Sequence, residues 1–165
     1  MPVTLEGSCR CGAVTFTVAS HTPYPYQRCY CSICRKAGAG GGFAVNIMGD
    51  ATALKIGGEG HLGTFVAVID DGGGGDARQG TCQRRFCRNC ATMLWVYDDG
   101  WPDLVHPFVS AIDSDLPEPP ERVHLMLASK AAWVVPQIGP KDQSFDEYPD
   151  QSIEDWHKSR GLWIA

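Results

Sequence analysis

Cysteine spacing constrains this chain more than any other feature of its sequence. The eight cysteines fall as Cys9-Arg10-Cys11, Cys29-Tyr30-Cys31-Ser32-Ile33-Cys34, a lone Cys82, and Cys87-Arg88-Asn89-Cys90. Residues two apart on an extended backbone project to the same side, and a pair with two residues between them folds into a tight turn that aims both sulfurs at one point. Each cluster is therefore half a metal site or more. Cys29, Cys31 and Cys34 are close enough in sequence to share one ion. Cys9, Cys11, Cys87 and Cys90 remain as two pairs far apart in sequence, one near the start and one near the middle of the chain. Together they make a closed four-thiolate tetrahedron, the arrangement of structural zinc with Zn–S near ~2.3 Å. Such a site clamps an early strand to a later hairpin, and structural zinc closing so long a loop supplies roughly 10 kcal/mol or more of apparent binding energy.

Metal is preferred to disulfides if the chain stays in a reducing compartment. The opening Met1-Pro2-Val3-Thr4-Leu5-Glu6 lacks the charged-then-apolar plan of a secretion signal. No apolar run approaches the roughly 18 residues of a membrane span. A cytoplasmic location without membrane attachment is expected. The formal net charge of −5 predicts no nucleic-acid binding, because affinity for a phosphate backbone depends on an excess of Lys and Arg. At 165 residues the chain is expected to be a single domain, 1–165, with its own core.

The 19 glycines and 11 prolines lie between short apolar runs, which predicts a mainly β architecture of brief strands, antiparallel sheets and short helical segments. Val14, Phe16 and Val18 alternate with Thr15 and Thr17, so a first strand is expected directly after Cys11. A helix begun at Ser32 cannot continue through Gly38 to Gly42, and Phe43 to Ile47 is expected to resume as a strand. Glycines bracket the short segment Ala51 to Ile56, and Leu62 to Ile69 is expected as the partner strand of a meander. Asp70 to Asp76, with four consecutive glycines, predicts a flexible surface loop without a calcium ligand pattern. Gly80 to Phe86 and Thr92 to Tyr97 flank the Cys87 knuckle as a hairpin. Leu104 to Ile112 and Val123 to Leu127 supply two further strands, and the three prolines between Ser114 and Glu121 rule out regular structure there. Ser152 to Arg160, with an N-cap serine, early acids and late bases, is expected as a short C-terminal helix.

The two cysteine groups differ in kind. Three protein ligands with an open fourth position is the plan of a catalytic zinc, which binds water or a substrate thiol and favours the thiolate. An imidazole would close the same tetrahedron, and His61, His106 and His124 are the candidates. A redox role for Cys87 and Cys90 would need the start of a helix, whereas Thr92 to Tyr97 reads as a strand. Cys82 stands outside every motif and is expected to be a small buried side chain, not a ligand. Arg10, Arg28, Arg35, Lys36, Arg84, Arg85 and Arg88 all lie within a few residues of a cysteine. They would partly neutralise the thiolates, or bind a substrate carboxylate.

Three blocks of the chain resemble a known family, the glutathione-dependent formaldehyde-activating enzymes of the Mss4-like fold and CENP-V/GFA domain. Gly7-Ser8-Cys9-Arg10-Cys11-Gly12-Ala13-Val14 is similar to the family's opening, Cys29 to Lys36 to its central metal motif, and Phe86-Cys87-Arg88-Asn89-Cys90-Ala91 to its knuckle. Gly58-Glu59 with Leu62 and Phe65, the block from His124 to Trp133, and Phe145-Asp146-Glu147-Tyr148-Pro149 extend the likeness nearly end to end. The chain departs from the pattern at Tyr30, where members commonly carry His, at Ala91, where Gly is common, and in a longer insert from Asp70 to Arg78. The resemblance implies a sheet-rich fold of two or three layers. It also implies a structural zinc on Cys9, Cys11, Cys87 and Cys90, and a second zinc, partly occupied or full, on Cys29, Cys31 and Cys34. The implied reaction joins formaldehyde to glutathione as S-hydroxymethylglutathione, a carbon–sulfur lyase chemistry, with glutathione or a related small thiol as the partner molecule. The other reading is a non-enzymatic zinc-binding module for a protein partner. An open cleft walled by Trp95, Trp101 or Trp133 would favour the enzyme, and a fourth histidine ligand would favour the module.

Overall fold

The computed structural model describes residues 1–38, 40–69 and 76–165, and in it the first strand forms earlier than expected. Val3–Ser8 (β1) precedes the first cysteine pair and runs antiparallel to Thr15–Ser20 (β2), with Val3 opposite Ser20 and Ser8 opposite Thr15. The inward-facing set of β1 is Val3, Leu5 and Gly7, so the apolar alternation stops at a residue without a side chain. Only glycine fits that place: a Cβ on Gly7 would lie 2.2 Å from the Phe16 ring and 2.5 Å from the Ala111 carbonyl oxygen. In β2, Phe16 and Val18 are buried, as their alternation predicts.

Gln27–Cys29 (β3) leads into a seven-residue helix, Ser32–Gly38 (α1), which stops where the glycines begin. Residues Phe43 to Ile47 do not make the expected strand. They form isolated bridges, Ala44 to Cys29 on one side and Asn46 to Phe108 on the other, so no two successive pairings share a partner and no ladder builds. Gly49–Asp50 (β4) follows, then a 3₁₀ turn at Ala51–Ala53 capped by the Asp50 carboxylate, which accepts from the Thr52 N–H. Lys55–Gly57 (β5) adds to the free edge of β2. Leu62–Ile69 (β6) has the expected bounds, but its partner is the next strand, Arg78–Cys87 (β7), not the segment before it. The glycine-rich loop expected between them lies, over 70–75, outside the described residues.

Met93–Tyr97 (β8) completes the expected hairpin with β7. Leu104–Pro107 (β9) is half the length expected, because Phe108 turns its N–H to the Leu94 carbonyl and Val109–Ala111 winds into a 3₁₀ turn. Val123–Leu125 (β10) and Gln143–Ser144 (β11) are short, and Ile153–Ser159 (α2) is the expected terminal helix, its Ser152 hydroxyl accepting from the Asp155 N–H.

These strands make three sheets, in the orders β1-β2-β5, β4-β9-β8-β7-β6 and β11-β10-β3. The first two are antiparallel and the small third is parallel. The five-stranded sheet is the middle layer, because β8 contributes residues to cores on both of its faces. Trp95 packs edge-on against Phe16, with ring centroids 5.3 Å apart, in a core shared with Leu5, Val18, Leu94 and Val105. Val96 instead packs against Cys34, Ala44 and Phe108 on the other side. A third cluster stacks Trp156 of α2 on Tyr26 at 3.7 Å, beside Val123 and Leu125. Among the described residues no helix is long and apolar enough to cross a membrane.

Candidate metal centres and cleft

Cys9 and Cys11 sit in the turn between β1 and β2, where the Val14 N–H donates to Cys9 Sγ at 3.2 Å. Cys87 ends β7, and the turn that returns the chain to β8 brings Cys90 back beside it. That turn is closed by Ala91 N–H to the Cys87 carbonyl (2.8 Å) and Cys87 N–H to the Thr92 carbonyl (2.9 Å). The four sulfurs lie within 4.8 Å of one another, with Cys9 to Cys11 at 3.5 Å and Cys11 to Cys87 at 3.8 Å. These separations exceed the ~2.05 Å of a disulfide and are near the edge, about 3.8 Å, of a tetrahedron of sulfurs held at ~2.3 Å from a centre. Cys9 and Cys87 are buried in the main core, so the group ties the first sheet to the middle one from inside.

Cys29, Cys31 and Cys34 form the second group, also within 4.8 Å. Cys29 closes β3, and the Cys34 N–H donates back to Cys31 Sγ at 3.3 Å, the tight turn expected from two intervening residues. With three thiols this close, one ionises at the expense of the others. Hydrogen bonds from Cys29 and then Cys34 hold the Cys31 thiol well below its ordinary range, while Cys29 is pushed up by the same crowding. A cation at the centre relieves that conflict, so the donor set fits a soft divalent metal such as zinc in both groups.

The second group opens on a cavity of about 330 Å³. Its floor is the middle sheet, where Arg84, Val96 and His106 are direct cross-strand neighbours in one row. Ala67, Ile69 and Cys82 continue the floor, Ile33 and Leu125 line the sides, and Tyr148 and Ile153 stand at the rim. The chemistry therefore comes from β3, α1, β7, β9 and the segment before α2. Arg84 Nη2 lies 3.8 Å from Cys34 Sγ, the neutralising contact that its place near the cysteines predicts. Burial lowers the pKa of His106 and keeps its ring neutral near pH 7.

No histidine joins either sulfur group among the described residues. His124 is fully buried with both ring nitrogens engaged: Nδ1 with the Tyr30 hydroxyl at 2.9 Å and Nε2 with Asp142 at 3.1 Å. His61 is exposed beside the knuckle, and His106 faces the cleft without reaching the thiols. None of the three tryptophans walls the cleft. Trp95 belongs to the core on the opposite face, and Trp101 and Trp133 are largely exposed, so the aromatic at the rim is Tyr148. Cys82 is in neither sulfur group, as expected, but it lines the cleft half-buried and donates to Asp98 at 3.1 Å. All eight cysteines are unbridged.

Behind the second group runs a buried relay that the sequence does not announce. Tyr30 lies between two ligand candidates and faces away from them, and its hydroxyl meets His124, which meets Asp142. Asp142 also accepts the N–H groups of Arg122 (2.8 Å) and Gly139 (2.9 Å). Burial opposes its ionised form, but these bonds outweigh burial and hold its carboxyl below the usual carboxylate range.

The sequence is similar to that of known proteins. The profile of the family described as glutathione-dependent formaldehyde-activating enzyme matches residues 4–127. A protein of Halomonas elongata named "Putative glutathione-dependent formaldehyde-activating enzyme" is 55% identical over 158 residues, which is 96% of this chain and 97% of that protein. A Rhodobacter sphaeroides protein of known crystal structure aligns at 23% identity with a TM-score of 0.49, covering 68% of this chain and 91% of that one.

Proposed function

The chain belongs to the glutathione-dependent formaldehyde-activating enzyme family, and from that premise we propose that it is a zinc-dependent carbon–sulfur lyase. It would join formaldehyde to glutathione, or to a closely related small thiol, as the S-hydroxymethyl adduct. Residues 1–165 act as one zinc domain in the cytoplasm. Cys9, Cys11, Cys87 and Cys90 hold a structural ion, and Cys29, Cys31 and Cys34 a reactive one. The observation that carries this reading is the contrast between the two sulfur groups. The first has four sulfurs and is built into a core; the second has three, no imidazole to complete it, and an open cavity in front of it.

In the reaction the thiol sulfur bonds to the aldehyde carbon, and the S–H proton ends on what was the carbonyl oxygen. Zinc bound by the three cysteines supplies the charge that favours the thiolate form of the incoming thiol. The protein's side chains do the rest. Arg84 offsets the negative charge gathered at Cys34, Ala67, Ile69 and Val96 keep water from the reacting sulfur, and His106 offers a neutral ring nitrogen to the thiol proton.

Thiols add to formaldehyde without help, so the test is acceleration above the spontaneous rate. Exchange spectroscopy by nuclear magnetic resonance on glutathione and formaldehyde, with and without zinc-loaded protein, should show faster exchange with it. Cys31→Ser should abolish the difference. An unchanged exchange rate with two zinc ions bound ends the enzymatic reading.

A further inference from the structure

Among the described residues Arg84 is the one arginine or lysine that lines the cleft, and its hydrogen bonding is incomplete. The residue is 7% exposed, yet the 3.8 Å contact to Cys34 Sγ is the sole hydrogen bond its side chain makes among the described residues. Its Nε is buried without a partner, and no carboxylate pairs with it there. Arg35 and Arg85 share the unpartnered Nε, but neither lines the cavity. The nearby acid is already occupied. Asp98 accepts from the Thr81 hydroxyl, Cys82 Sγ and the Gly100 N–H, and leaves the guanidinium alone.

A buried guanidinium presents five N–H donors in a planar fork, and leaving such donors unfilled is costly. One sulfur takes one of them. The acceptor that matches the remaining fork is a carboxylate, which binds side-on through two parallel hydrogen bonds. Beside Arg84 the cavity is lined by Ala67, Ile69, Val96 and Leu125, which suit a short hydrocarbon arm. We propose that Arg84 is the anion subsite of this cleft, and that the ligand class it selects is a thiol bearing a carboxylate a few bonds from its sulfur. This rests on the reading of Cys29, Cys31 and Cys34 as the thiol-binding centre; glutathione, with two carboxylates, is one member of the class.

The test compares 3-mercaptopropionate with its neutral methyl ester by titration calorimetry on zinc-loaded protein, with zinc counted before and after. Wild type should bind the acid at least about tenfold tighter than the ester, and Arg84→Gln, whatever it costs both ligands through its contact with Cys34, should bring the two within about twofold of each other. If Arg84→Gln weakens both ligands equally, Arg84 serves the thiolates alone and the proposal is overturned. If wild type binds both ligands equally well, the thiol centre stands and the carboxylate subsite falls. If wild type binds neither, the thiol-centre reading fails and the subsite with it. Should Arg84→Gln not fold, Arg84→Lys carries the test, since it keeps the charge and loses the fork. An acid preference cut to about threefold or less supports the proposal, and an undiminished one overturns it.

Discussion

Ala91 has φ of +60°, one of two residues other than glycine with a positive φ among those described, and it occupies the turn that returns Cys90 to Cys87. A side chain in this left-handed region costs roughly 1–2 kcal/mol, part of which glycine would give back through its freer unfolded chain. Ala91→Gly should therefore raise stability by about 0.5–1 kcal/mol, read as a higher denaturant midpoint of the zinc-loaded protein with unchanged zinc content. The strain was half legible from sequence, since Ala91 stands where the resembled family commonly has Gly. The grouping of seven cysteines into a four and a three was legible, because it lies in spacing that a short turn must satisfy. Arg84, His106 and Tyr148 were not legible as one site: they come from β7, β9 and the segment before α2, and only sheet register places the first two in one row. Periodicity can say that alternate residues of β7 share a face, but not which face meets the thiols.

Elements with strong local signals, β6, the β7–β8 hairpin and α2, formed where sequence put them. Those that depend on distant partners did not: β1 hides its inward face in Gly7, residues 43–47 divide their bonds between two neighbours, and β9 gives way to a 3₁₀ turn. The Tyr30 relay is such a long-range feature, and its strength can be measured. Tyr30→Phe leaves buried His124 Nδ1 without a partner, which should cost about 1–3 kcal/mol. It should also weaken zinc at Cys29, Cys31 and Cys34 while the four-cysteine site stays full, as metal counting under a chelator gradient would show. Helix α2 carries a different liability. His157 is fully buried, bonds the Ile153 carbonyl through Nδ1, and leaves Nε2 without a partner. Burial depresses its pKa below the ordinary His value. The unfolded chain takes up a proton near pH ~6.5 that the folded chain refuses, so this stability is full above that pH and drains as pH falls. His157→Phe should flatten the dependence of unfolding midpoint on pH between 7.5 and 5.5 relative to wild type. An identical slope in both would remove His157 as the cause.

At the scale of the whole molecule, the two sulfur groups have unequal structural weight. Cys87 joins the first sheet to the middle layer across about half of the chain, whereas Cys29, Cys31 and Cys34 bridge a single turn. Cys87→Ser should lose most of the cooperative thermal transition, while Cys31→Ser should melt within a few degrees of wild type. Equal losses would contradict the roles proposed for the two centres.

The small parallel sheet carries one more consequence, which concerns time. Its register sets Gln27 beside Val123, partners nearly a hundred residues apart in sequence, and non-local pairings of that kind close slowly. The β6–β7–β8 meander needs only neighbours, so it and its Cys87 knuckle are expected to form while β3 still waits for β10. During that wait Cys29, Cys31 and Cys34 lie open to oxidants and to the wrong metal. The yield of correctly folded protein should then depend on a reductant being present from the start, because the same reductant, added after the chain has closed around oxidised cysteines, reaches them too late.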